Sequence, residues 1–285
     1  MKILILGGTG MLGRSITKYL SGNTSFSIYS TIRSNNTPSY IINNPNINLV
    51  KNIDVQDESC VLGAIISIKP DLVINCIGVV KQLINRDDIH AQTIYMNAYF
   101  PHQLLKMCSE INSRLIHIST DCVFNGDKGF YNENDIADST DIYGLSKLLG
   151  EINTKNSLTI RTSIIGHEHN SKNGLLEWFL SQEDEINGFD KAIFSGLPTI
   201  EVARVIKDFV IPNDNLSGIY HLSSEPINKF ELLTLIKKEY EKNISINKDS
   251  SLQIDRSLDS SKFKKETGYY PPSWDNLVKF MKENE

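Results

Sequence analysis

Ser119, Thr120 and Asp121, followed further along by Tyr143 and Lys147, bring a hydroxyl, a carboxylate, a phenol and an ammonium into one stretch of chain. Tyr143 and Lys147 stand four positions apart in Tyr143-Gly144-Leu145-Ser146-Lys147, so on a helix they share a face. An ammonium beside a phenol favours the phenolate. The spacing therefore predicts a Tyr143 pKa below its ordinary value of about 10, suited to passing a proton near neutral pH. With a hydroxyl of the Ser119-Thr120 pair alongside, this set suits carbonyl reduction.

Reduction also needs a hydride source, and the N-terminus is built for one. The apolar run Ile3-Leu4-Ile5-Leu6 breaks into Gly7-Gly8-Thr9-Gly10-Met11-Leu12-Gly13 and then into an amphipathic stretch, which reads as strand, tight turn, helix. Gly8, Gly10 and Gly13 satisfy G-x-G-x-x-G, and Gly7, Gly10 and Gly13 satisfy G-x-x-G-x-x-G. Either spacing lets the backbone from Gly7 through Thr9, Met11 and Leu12 to Gly13 approach a dinucleotide pyrophosphate. Downstream, Phe26–Ser34 contains no acidic residue for an unphosphorylated ribose; Arg33, with Ser30 and Thr31, suits a 2′-phosphate instead. NADPH is expected, with NADH the second choice. Asp54 has two readings, a cap for the next turn or an acceptor for the adenine amine.

The elements that must position these groups alternate through the first 165 residues. Strands are expected at Ile3–Leu6, Ser27–Thr31, Ile47–Val50, Leu72–Ile77, Leu115–Ser119 and Leu158–Thr162, with helices at Met11–Leu20, Glu58–Ile68, His90–Glu110 and Ile142–Asn153. This predicts an α/β chain: a Rossmann-type doubly wound parallel sheet, its strands buried on both faces, with a smaller C-terminal substrate-binding lobe. Residues 1–165 form the expected NADP-binding part, with 199–222 returning to it through a strand at Gly218–Ser223. Residues 166–198 and 223–285 form the lobe, with helices at Lys229–Lys242 and Trp274–Met281 around an extended polar segment. Ligands bind at strand carboxyl ends, where Gly7–Gly13, Arg33, Asp54-Val55, Asn75–Gly78 (with Cys76 and Gly78) and Ser119–Asp121 converge.

With 285 residues, 40% of them hydrophobic, the chain can bury a substantial core. A net charge of −5 argues against nucleic-acid or anionic-membrane partners. No apolar run is long enough to span a bilayer, and no leader is evident, so a cytoplasmic enzyme is expected. The four cysteines, Cys60, Cys76, Cys108 and Cys122, form no C-x-x-C pair and read as buried free thiols. His167-Glu168-His169 lacks a third ligand nearby, and no metal is expected.

Taken in order, these pieces resemble the extended short-chain dehydrogenase/reductase superfamily and, within it, the dTDP-4-dehydrorhamnose reductase-like family. The likeness runs almost end to end. Beyond the glycine loop and Tyr143–Lys147, it includes Ser119–Gly126, Arg161-Thr162-Ser163, Gly196–Thr199, Gly218–Leu222 and the C-terminal Arg256-Ser257-Leu258-Asp259-Ser260-Ser261-Lys262-Phe263. The resemblance implies NAD(P)H-dependent reduction of the 4-keto group of a nucleoside diphosphate 4-keto-6-deoxy sugar, in deoxysugar or surface-polysaccharide precursor biosynthesis. It implies that Thr120 binds the ketone, Tyr143 protonates its oxygen, and Lys147 holds the nicotinamide ribose. Asn97 matches a site-organising position, although an amide satisfied by neighbouring backbone competes with that role. Arg256, joined by Lys81 or Lys262, is implied to meet the diphosphate, and Thr120, Asp121 and Cys122 to meet the sugar. The base is left to Trp178, Phe179 or Tyr220, and a homodimer is an open expectation.

Many relatives carry an aromatic residue where Cys122 stands, which leaves that sugar contact open. Dehydratases of the superfamily place Glu after the Thr-Asp pair, and Asp121-Cys122 lacks that second carboxylate, so dehydration is disfavoured. Two rivals remain: a nucleotide-sugar 4-epimerase with a tightly held dinucleotide, and a non-catalytic regulatory subunit of the same fold, like the partner chain of methionine adenosyltransferase. A general carbonyl reductase would not need the Arg256–Phe263 signature.

Overall fold

The computed structural model describes residues 1–42, 44–83, 90–168 and 172–284. In the first strand, β1 (Lys2–Leu6), Ile3, Leu4, Ile5 and Leu6 are all fully buried, which requires cover on both faces. Successive side chains divide accordingly. Ile3 and Ile5 join Leu12, Ile16 and Leu20 of helix α1 (Met11–Ser21) in one core. Leu4 and Leu6 join Val61 and Ile65 of helix α2 (Glu58–Ile68), with Phe100 and Leu104 of helix α3, in the other. Helix α3 runs through His90–Ile94, Tyr95–Tyr99 and Phe100–Glu110 and carries a π turn in its middle segment.

The remaining central strands are β2 (Ser27–Thr31), β3 (Ile47–Val50), β4 (Leu72–Asn75), β5 (Arg114–Thr120), β6 (Ser157–Thr162) and β7 (Gly218–His221). All seven pair in parallel, in the order β7-β6-β5-β4-β1-β2-β3. The doubly wound sheet read from the alternation is therefore the one observed. Strand order reverses between β1 and β4, so their carboxyl ends open the crevice in which such sheets bind ligands.

Several boundaries differ from the sequence reading. β4 ends at Asn75, whose side chain turns back to accept from the Ile77 N–H at 3.1 Å. Helix α4 (Ile142–Leu149) stops short of Asn153 because Gly150 caps it, its N–H reaching carbonyls of the last turn. Helix Lys229–Glu239 ends before Lys242, β7 ends at His221, and the last helix runs on through Trp274–Asn284. Outside the central sheet, the strand Ala192–Phe194 is flanked by Ile227–Asn228 and Ile254–Asp255. The polar stretch Ser245–Asp249 pairs with Glu185–Phe189, which its composition concealed.

Candidate active site

Gly7 takes φ +85°, a left-handed turn that side chains resist, and a Cβ on Gly13 would stand 2.2 Å from the Gly7 carbonyl oxygen. The glycines thus bring α1 onto the end of β1, and β2 fixes the turn through Gly8 N–H donating to the Thr31 carbonyl at 2.9 Å. Gly10 is the N-cap and offers no side chain to the first-turn N–H groups of Met11, Leu12 and Gly13. That cradle fits a pyrophosphate. Leu12 itself points into the core, so its contribution is backbone alone. Beside the turn lies an open cleft of about 180 Å³, lined by Gly7, Thr9, Gly10, Arg33, Val55 and Cys76 through Gly78, among others. Arg33 is exposed at its rim, where a 2′-phosphate would be reached. Tyr40, whose hydroxyl donates to the Gly8 carbonyl, and Arg14, stacked 5.3 Å from the Tyr40 ring centre, flank the turn and were missed in the sequence.

Asp54 and Asn97 both have partners within the chain. Asp54 Oδ1 accepts from the Gln56 N–H at 3.0 Å, in keeping with its turn-cap reading, while its neighbours Ile53 and Val55 line the cleft. Asn97 is fully engaged: it accepts from Val79 N–H at 2.8 Å and donates to the Val79 carbonyl at 3.1 Å and Ser146 Oγ at 3.2 Å. It holds the Cys76–Val79 loop to α4 instead of reaching into the cleft. The π turn of α3 aims it there.

Thr120, Tyr143 and Lys147 do come together. Asp141 caps α4 by accepting from Gly144 N–H at 2.9 Å, and Gly144 lets the helix approach closely, since any side chain there would strike the Cys122 carbonyl. Tyr143 then stands near Thr120, which with Cys122, Asp121 and Asp141 is felt at its phenol. Thr120 donates to Asp121 Oδ1 at 3.1 Å and accepts from Cys122 N–H at 3.2 Å. Lys147, buried, donates to the Ile118 carbonyl at 2.6 Å and lies beside Gly78 at the mouth of the cleft.

The electrostatics overturn one expectation. Burial raises the Tyr143 pKa, Cys122, Asp121 and Asp141 add to the rise, and Thr120 only partly opposes it. The phenol is thus a protonated donor at neutral pH, not a phenolate. Lys147 bears the shift instead: burial lowers its pKa to about 8 against the pull of Glu151 and Cys76. Burial likewise raises the Asp121 pKa, opposed by Thr120 and Arg256, and, with Asp121, pushes the Cys122 thiol up to about 12.

Cations gather on the other side of Asp121 and Cys122. Lys81 pairs with Asp141 at 2.7 Å, and Arg256 donates through Nε to the Phe124 carbonyl at 2.7 Å. Asn228 and Asp255 both pair with Ile193, so Lys229 and Arg256 emerge from the rim of one small sheet. Lys229 was missed, standing alone after Asn228 with no motif around it. Burial lowers its pKa, while Asp121 and Cys122 pull it up. Lys262, by contrast, is bonded to the Ile219 carbonyl and lies over the Tyr220 ring. Phe179 is in the core and Tyr220 packs on Phe263, leaving Trp178 as the exposed aromatic of the three considered for a base.

The cysteines are free, but Cys108 alone is fully buried. His167 pairs with Glu177 at 2.6 Å and Tyr240 at 3.0 Å, and Glu168 accepts from Gly174 N–H; His169 lies outside the described residues. Among the described residues no helix is long and apolar enough to cross a membrane.

A parallel sheet with a glycine turn at its switch point and a Thr-Tyr-Lys set over the same crevice defines a Rossmann-type α/β protein of the short-chain dehydrogenase/reductase kind. The chain belongs to the RmlD substrate binding domain family, whose model matches residues 1–284. It is 25% identical over 236 residues to a dTDP-4-dehydrorhamnose reductase of Aggregatibacter actinomycetemcomitans, covering 79% of this chain and 74% of that one. The beta subunit of methionine adenosyltransferase 2 from Xenopus laevis is 25% identical, over 81% of this chain and 70% of its own. Among solved structures, a dTDP-4-dehydrorhamnose reductase of Bacillus anthracis in complex with NADP superimposes with a TM-score of 0.81 at 20% identity, covering 99% of this chain and 98% of that one.

Proposed function

We propose that the protein reduces the 4-keto group of a nucleoside diphosphate 4-keto-6-deoxy sugar with NADPH, as a step in making deoxysugar precursors. The observation that carries this reading is the meeting of Thr120, Tyr143 and Lys147 beside the glycine-turn cleft. The dinucleotide supplies the hydride when bound. Gly7–Gly13 and Arg33 hold its phosphates, and Lys147 at Gly78 holds its ribose. Tyr143, protonated at neutral pH, gives its proton to the ketone oxygen, while the Thr120 hydroxyl orients that oxygen and stabilises its developing charge. Lys81, Arg256 and Lys229 meet the diphosphate, with Cys122 a small, uncharged neighbour of the sugar. Residues 1–165 with 199–222 serve the dinucleotide, and 166–198 with 223–285 the substrate.

The beta-subunit relatives keep the regulatory reading in view, but the assembled Thr-Tyr-Lys set favours catalysis. Arg33 at the rim favours exchangeable NADPH over the tightly kept dinucleotide of an epimerase. A homodimer is also proposed: Ile94, Tyr99, Leu145 and Leu149 are exposed on two helices that pack together, and the same face of a second copy would cover them. Light scattering that reads a monomer at micromolar concentration would reject it. For the activity, the test is loss of NADPH absorbance against a panel of nucleoside diphosphate 4-keto-6-deoxy sugars, with NADH in parallel. Absence of turnover with the whole panel would refute the reading.

A further inference from the structure

Gly8 is bonded through both of its backbone groups, and each bond leads to the segment that carries Arg33. Its N–H donates to the Thr31 carbonyl at 2.9 Å, while the neighbouring Gly7 N–H donates to Thr31 Oγ1 at 3.2 Å. Its carbonyl accepts from the Tyr40 hydroxyl at 2.5 Å. Tyr40 lies on the short helix Ser39–Ile42, with its ring against the Arg14 guanidinium, and Ile41 beside it is buried. Between these two anchors the chain leaves the body of the protein: Ile32 is bonded to Val50 and to Ile53 at 3.0 Å each, and residues 33–37 are all exposed. Residues 32–39 therefore form a bracket whose two ends rest on one glycine of the pyrophosphate turn. Arg33 stands at its base, on the rim of the cleft.

We infer that Tyr40 is a positioning residue for cofactor selectivity: by tying the far end of the Arg33 bracket to Gly8, it sets the cation that meets the 2′-phosphate at a fixed place relative to the pyrophosphate turn. This rests on the reading above in which Arg33 takes that phosphate. The turn and the cation belong to different pieces of chain, and one dinucleotide must span both. Fixing the bracket beforehand removes an ordering cost that binding of the 2′-phosphate would otherwise meet. Within the bracket the bonds are weak holds: Ser34 Oγ donates to the Asn36 carbonyl at 3.4 Å and Asn52 Nδ2 to Asn35 Oδ1 at 3.1 Å, both open to water. The Tyr40 bond is the more sheltered. Burial pushes the Tyr40 pKa up to about 12, so the phenol stays a donor at neutral pH. The turn keeps its own shape by other means, since Gly10 N–H closes it onto the Gly7 carbonyl at 3.0 Å and Thr31 holds Gly7 and Gly8. What Tyr40 adds is the hold on the bracket.

Calorimetric titration with 2′,5′-ADP and with 5′-ADP reads the 2′-phosphate by itself, with no turnover involved. Tyr40→Phe keeps the ring against Arg14 and removes only the hydroxyl. The Kd for 2′,5′-ADP should rise about tenfold, the scale of one lost hydrogen bond, while that for 5′-ADP stays within about twofold. Arg33→Ala should abolish the parent's preference for 2′,5′-ADP, and adding Tyr40→Phe to it should leave the ratio where it is, because the tyrosine acts through the arginine. Equal losses for both nucleotides would make Tyr40 a support of the glycine turn alone, and unchanged binding of both would remove it from the cofactor site; either result overturns the inference. A preference lost with Arg33→Ala but kept with Tyr40→Phe would sink the inference and leave the NADPH reading standing. A parent that holds the two nucleotides alike would bring down that reading, and the role of Tyr40 with it.

Discussion

Tyr143 and Lys147 divide the acid–base work differently from the simplest picture of such a pair. Burial, reinforced by Cys122 and Asp121, keeps the phenol protonated, and the lowered pKa belongs to Lys147. The pair therefore acts as a proton donor beside a titrating cation. Tyr143→Phe should cut turnover by about a hundredfold or more, the scale of a lost general acid, with NADPH affinity near that of the parent by fluorescence titration. Turnover should also decline above about pH 8, where Lys147 loses its proton; a flat profile to pH 10 would remove the lysine from the mechanism. At the substrate end, Lys229→Met should raise the KM of the keto sugar several-fold and leave kcat nearly unchanged, as expected when uniform binding is lost. Equal KM values would place Lys229 outside the diphosphate site.

The elements matter through how they hold loops. The π turn of α3 points Asn97 at both backbone groups of Val79, so one amide fixes the segment carrying Cys76 and Gly78 along the cleft. Asn97→Ala would strand a buried N–H and carbonyl, at a cost of about 1–3 kcal/mol. Thermal melting should show the loss, and NADPH should bind more weakly because its groove is no longer fixed. A melting temperature unchanged within error would mean that water or a shifted loop satisfies Val79. None of this was visible in the helical pattern of His90–Glu110, which marks the helix but not a local π turn. The early stop of α4 was equally hidden, because Gly150 reads as a cap only once its bonds are seen.

Across the whole molecule, two neutral imidazoles lie in the sheet. Burial, with Lys147 nearby, lowers the His117 pKa well below its ordinary range, and burial, with Arg161 nearby, lowers that of His221 to about 4. Unfolded, both would take protons near pH 6.5, so the unfolded chain binds more protons as acid is added and stability is lost as pH falls from about 6.5 toward 4. Denaturant midpoints should drop across that window, and His221→Gln should flatten the slope; an unaltered slope would show that His221 is not the titrating group. The parallel sheet, the glycine turn and the Thr120, Tyr143 and Lys147 set were legible in the amino-acid sequence because each depends on local periodicity or short spacing. Tertiary structure alone decided which way the Tyr143 pKa moves, that Asp54 and Asn97 serve loops, and that Lys229 joins Arg256, because desolvation and the meeting of residues distant in sequence arise only when strands and lobe pack.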